Sequence, residues 1–113
     1  MPKSHRSALA KFRCGVAPIR LETGRYEGLP EGERTCFNCN DVVESESHVL
    51  IECSLYDDLR RELLMRARNL VNSFDSLHVI DKLIVILDNN ILSKITAKTC
   101  SEILKRRRDC LYT

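Results

Sequence analysis

Tryptophan is absent and aromatic residues make up only 5% of the chain, which excludes an extended platform of rings for stacking bases. No apolar run approaches the roughly 20 residues that span a bilayer, so no membrane partner is expected. The opening Met-Pro-Lys-Ser-His-Arg is polar and basic, and no secretory signal is read there. An intracellular setting is therefore expected. An excess of one charge sign is also missing: 30% of the residues are charged, yet the formal net charge is +2. A balance that small does not mark a nucleic-acid binder by itself, and the distribution of charge carries more information. No Ser/His/Asp set, glycine-rich phosphate loop or paired-carboxylate pattern appears. No catalytic residue is assigned, the chain is not expected to be an enzyme, and no small-molecule substrate is expected.

Cysteine, by contrast, is concentrated. Cys36-x2-Cys39-x8-His48-x4-Cys53 places four metal-type ligands in one short segment. A Cys-x2-Cys pair on a tight turn presents two thiolates to one ion, and a later His and Cys close a tetrahedron. Zn²⁺ favours such a Cys3His set in structural sites, where four protein ligands leave no open position for substrate. Zn²⁺ is thus the expected cofactor, with Cys36, Cys39, His48 and Cys53 as ligands. Two alternatives stay open. Cys36-Phe37-Asn38-Cys39 has the spacing of a redox dithiol, although the flanks lack the βαβ pattern that such a motif accompanies. A disulfide framework is the other, although it belongs with a secretory context. Cys14, Cys100 and Cys110 lack ligand spacing and read as small apolar residues or bystanders.

At 113 residues, 43% of them apolar, the chain suits one small domain with a modest helical core. Residues 3–14 read as a helix with Ala8, Leu9 and Phe12 inward, stopped by Gly15 and Pro18. Residues 18–34 carry Gly24, Gly28, Pro30 and Gly32 and read as an extended or looping stretch. Residues 44–52 read as a short helix bearing His48, with Val49, Leu50 and Ile51 inward. That helix has to end near Cys53 if both residues ligate, because positions five apart do not share an α-helical face. Ser54 and Asp57 resemble a capping box. The helix they open runs to about Asn72, with Leu55, Leu59, Leu63, Ala67 and Leu70 on one side. Asp75 is the expected N-cap of a further helix whose apolar face is Leu77, Ile80, Leu83, Ile84 and Leu87. After the Asp88-Asn89-Asn90 turn a last helix runs to about Cys110, with Ile91, Leu92, Ile95, Ile103 and Leu104 as core candidates. The fold expected is mainly α: a small helical domain around a Cys3His turn, with room for a two-stranded hairpin at the cysteines. Residues 1–72 form the zinc region with its flanking helices, and residues 73–113 a C-terminal helical pair packed on it.

The segment from Ser7 to Leu64 resembles the zinc-binding region near the C-terminus of non-LTR retrotransposon reverse transcriptases. The resemblance is carried by an ordered series: Leu9-Ala10-Lys11-Phe12-Arg13-Cys14-Gly15, Pro18 to Tyr26, Arg34-Thr35-Cys36-x2-Cys39, and Glu46-Ser47-His48-Val49-Leu50-Ile51-Glu52-Cys53-Ser54-Leu55-Tyr56 with Leu59-Arg60. It covers about half of the chain. It implies an accessory zinc module that contacts RNA or DNA, with a polymerase or other protein as neighbour. It departs from a retroviral zinc knuckle, because Asn40 to Ser47 make a longer and more acidic loop between the second Cys and the His. Leu55-Tyr56-Asp57-Asp58 is superficially similar to a polymerase signature. Here the two aspartates open a helix, where negative charge is favoured, and the chain is too short for a polymerase.

A Cys3His site carries net negative charge, so affinity for phosphates has to come from elsewhere. The candidates are Lys11, Arg13, Arg20 and Arg25 upstream and Lys105, Arg106, Arg107 and Arg108 at the end. For the terminal run, a solvated face that complements the helix dipole is an equal reading. Arg60, Arg61, Arg66 and Arg68 are read as solvated, paired with Asp57, Asp58 and Glu62. His5 and His78 are expected at the surface without partners. Phe37 is expected to pack on the zinc turn or the following helix, and Tyr26 near the zinc loop. The function expected is a zinc-stabilised nucleic-acid-binding module. A helical interaction scaffold or an inactive retroelement remnant are the alternatives.

Overall fold

The computed structural model describes residues 1–111. Five α-helices carry the fold: α1 (Lys3–Arg13), α2 (Arg20–Tyr26), α3 (Asp57–Leu70), α4 (Val79–Asp88) and α5 (Ser93–Leu111). Between α2 and α3 lies the irregular segment that holds the cysteines. The architecture is mainly helical with a Cys3His cluster, as the sequence implies. The hairpin at the cysteines is reduced to one antiparallel bridge, Thr35 with Val43.

Helix α1 buries Ala8, Leu9 and Phe12. Gly15, at φ +68°, ends it. The Gly15 amide donates to the Phe12 carbonyl and the Val16 amide to the Lys11 carbonyl, the paired bonds of a Schellman stop that only a left-handed residue makes cheaply. α1 lies along α5, and this is the most extensive helix pair in the molecule. Small residues on α5, Ala97 and Cys100, are fully buried.

The stretch expected to loop contains α2, which is a correction. Gly24 reads as punctuation, but it sits within the helix because Arg34 lies against it: a Cβ there would meet Arg34 Cγ at 2.6 Å. Arg34 uses this close approach to donate to the Leu29 and Leu21 carbonyls. Three further expectations are corrected. The N-cap of α4 is His78, whose Nδ1 accepts from the Ile80 amide at 3.2 Å, while Asp75 pairs with Arg68. No side-chain cap opens α3, since Ser54–Tyr56 forms a tight 3₁₀ turn before it. Ile80, Ile84 and Ile91, expected in the core, are 49%, 52% and 77% exposed, and Leu70 is exposed as well.

Two apolar clusters result. One gathers Leu9, Phe12, Ile19, Val49, Leu50, Tyr56 and Ile103 around Cys36 and Cys53. The other joins Leu63, Ala67, Phe74, Ile86, Leu92 and Ile95. Among the described residues, no helix is long and apolar enough to cross a membrane.

Candidate metal centre and its basic surroundings

The cysteine turn is built by its backbone. The Asn40 amide donates to the Cys36 carbonyl at 2.8 Å and the Asp41 amide to the Cys39 carbonyl at 2.7 Å. Asn40 adopts φ +64°, a left-handed conformation that asparagine tolerates better than most residues. The Cys36 amide donates to Val42 and the Glu44 amide to Arg34, so both arms of the turn are tied.

The second half of the Cys3His cluster solves a spacing problem. His48–Glu52 is not an α-helix but a wide turn of π type, closed by the Cys53 amide donating to the His48 carbonyl at 2.7 Å. A turn closed by an i→i+5 bond is wider than an α-helical turn, so residues five apart come nearer to one side. The turn therefore brings Cys53 round to the side of His48, which an α-helix would not do.

Cys36, Cys39, His48 and Cys53 offer ligand atoms that all lie within 4.8 Å of one another. The Cys53 Sγ is 3.8 Å from that of Cys36 and 3.9 Å from that of Cys39. Sulfurs about 2.3 Å from a tetrahedral ion stand about 3.8 Å apart. His48 Nε2 is buried and has no hydrogen-bond partner, which is unusual for a ring nitrogen unless something else engages its lone pair. Burial pushes the Cys53 thiol up to about 12 and holds His48 below its ordinary value, in the neutral form that binds metals. Three sulfurs and one free imidazole nitrogen on these spacings can hold a metal ion. The Asn38 amide lies over the set, 3.7 Å from Cys39 Sγ and 4.0 Å from Cys53 Sγ.

Buried charges surround this centre. Arg60, expected to be solvated, is 2% exposed. It donates to Asp57 at 2.7 Å and to the Val49 carbonyl at 2.9 Å, and burial holds the guanidinium below its ordinary value. Arg107, expected to face phosphates, is buried against Glu44, which is itself fully buried. The guanidinium donates through Nε at 3.0 Å and Nη2 at 2.7 Å. Glu44 also accepts from the Arg20 amide, so one carboxylate joins α2, the cysteine turn and α5. These partners lie 63 residues apart, and no local pattern signals them. Nearby, Glu46 is raised to about 7, first by burial and then by its hydrogen bond with Glu22. Burial likewise pushes the Cys100 thiol up to about 12.

The remaining expected cations divide. Arg106 grips Asp58 at 2.6 and 3.0 Å and donates to the Leu55 carbonyl, which holds the Asp58 carboxyl below its ordinary value. Arg20 pairs with Glu27 and Arg25 with Glu22. Arg13 donates to the Leu87 carbonyl. Lys11, Lys105 and Arg108 are exposed and lie on the walls of the groove between α1 and α5. Tyr26, expected to pack near the zinc loop, is 88% exposed instead. Phe37 is half-exposed at the groove. Cys14 and Cys110 are exposed and stand apart from the cluster.

A scan against protein-family models, a search of curated proteins and a search of solved structures each return no match to this chain.

Proposed function

We propose that the chain is a zinc-stapled accessory module that binds nucleic acid through phosphate contacts, similar to the zinc region downstream of a non-LTR retrotransposon polymerase. The observation that carries the zinc assignment is the set of sulfurs at tetrahedral spacing beside an unpartnered imidazole nitrogen. Soft thiolates with one imidazole favour Zn²⁺ among the common ions. When bound, the ion organises the turn, and its binding free energy becomes folding free energy. Lys11, Lys105 and Arg108 support the nucleic-acid reading, since they share one groove and make no ion pair among the described residues.

The test is a salt series with the zinc-loaded chain and a labelled oligonucleotide. Three phosphate contacts on a single strand give a log–log slope of about −2. Absence of binding at low salt, or indifference to salt, contradicts the reading.

A second reading, an interaction scaffold, is favoured by the exposed Ile80 and Ile84 on α4 and Ile91 in the turn after it. A stable complex with a protein neighbour, formed without any nucleic-acid affinity, separates the two.

A further inference from the structure

We propose that the cavity between α1, α5 and the cysteine turn takes one unpaired base of a single-stranded nucleic acid, with Phe37 as the stacking ring and Lys11 and Arg108 as the phosphate contacts. This rests on the nucleic-acid reading above and narrows it to unpaired strands. The cavity encloses about 620 Å³, within the range of roughly 300–1,000 Å³ that holds small ligands. Lys11, Phe37 and Arg108 line it together with Thr35 and Glu27. The Glu27 carboxylate is neutralised by Arg20 at 3.0 Å, so the wall is cationic on balance.

Phe37 is held by Arg107, which lines the same cavity. The Arg107 guanidinium carbon lies 5.9 Å from the ring centroid, and Glu44 fixes that guanidinium with two hydrogen bonds. A ring already held in place loses little freedom when a base arrives, and 36% of Phe37 remains exposed to meet one. Lys11 and Arg108 also border the adjoining cavity of about 530 Å³, where Lys105 joins them. The groove thus offers a row of cations for a backbone beside one aromatic platform, the pairing that serves single strands. In a duplex the base faces are stacked inside, so a duplex engages the cations alone.

The test uses the full zinc-loaded chain in fluorescence anisotropy at low salt. The probes are oligothymidylate, oligouridylate and a mixed duplex of the same length, each about 12 nucleotides long, enough to fill one groove. The wild type is expected to bind the single strands about tenfold tighter than the duplex, and Phe37→Leu to lose about tenfold on single strands with no change on the duplex. Phe37→Tyr, which keeps the ring, retains the preference. Lys105→Gln weakens all three probes alike. The two single strands distinguish DNA from RNA as the source of the base. One measurement needs no variant: the Phe37 ring protons shift on titration of the wild type with oligothymidylate. Unmoved ring resonances, or equal binding of single strands and duplex with no effect of Phe37→Leu, overturn this inference and leave the broader reading standing. Failure of every probe to bind overturns both.

Discussion

Around Phe74 the core is hydrocarbon: Leu63, Ala67, Ile86, Leu92 and Ile95 cluster with the ring, and the half-buried Lys82 ammonium lies 5.8 Å from its centroid. Around Cys36 and Cys53 the interior also holds Glu44, His48, Arg60 and Arg107, all of them buried. The first cluster needs nothing beyond apolar burial, worth about 1.5–3 kcal/mol for each large side chain. The second takes polar and charged groups out of water, which is unfavourable unless each finds a partner. Arg107 finds Glu44, and Arg60 finds Asp57 and a carbonyl through its terminal nitrogens, while His48 Nε2 finds no hydrogen-bond partner and the three cysteines form no disulfide. Hydrophobic burial thus accounts for one half of the molecule, while the other half gathers a Cys3His group that could hold a metal ion.

The largest effect is expected where a metal-binding group is disabled. Chelation, or His48→Ala, is expected to strip amide-exchange protection from residues 34–56, while the amides of Leu63, Ala67 and Ile95 remain the slowest to exchange. Hydrogen exchange read by mass spectrometry checks the asymmetry, and uniform loss would contradict it.

Two substitutions then sharpen the contrast from either side. Glu44→Ala leaves Arg107 buried without its partner and is expected to cost about 3–5 kcal/mol in chemical denaturation, with lowered zinc affinity. Phe74→Ala, in the hydrocarbon cluster, is expected to cost a similar amount, about 3–5 kcal/mol, with zinc stoichiometry unchanged. If Phe74→Ala released the metal, the two regions would not be separable in this way.

A smaller effect depends on pH. Glu46 is held near 7 in the fold, above its ordinary value. Its contribution is therefore present in acid and lost as pH rises through about 7. Glu46→Gln, which mimics the protonated form, is expected to match the wild type in Tm near pH 4, below the ordinary value of 4.5, and to exceed it at pH 8. Comparing the two chains at each pH cancels the separate pH dependence of metal binding. The smallest effect belongs to the exposed Arg66–Glu62 pair: Arg66→Gln is expected to change stability by about 0.3–0.5 kcal/mol.

The clustering of Cys36, Cys39, His48 and Cys53 is legible because their spacings are local. The helices α1, α3 and α5 were legible from their apolar periodicity. Helix α2 was not, because Gly24 signals a break locally and its reason, the Arg34 side chain, lies ten residues on. Nor was the burial of Arg60 and Arg107, since a cation reads as solvated until the fold brings Val49 or Glu44 to it. Periodicity also marked α4 as apolar without saying which side is covered, so Ile80 and Ile84 were misplaced. The π-type turn at His48–Glu52 was anticipated only as a constraint: the helix had to yield before Cys53, and it does so by widening.

Native mass spectrometry of the purified chain, with and without Cys36→Ser, tests the central claim most directly. One zinc ion per wild-type chain, lost together with the folded charge-state distribution in the variant, is the expected result. A metal-free wild type that keeps its compact charge states, or one in which two of the sulfurs at residues 36, 39 and 53 are covalently joined, would contradict it.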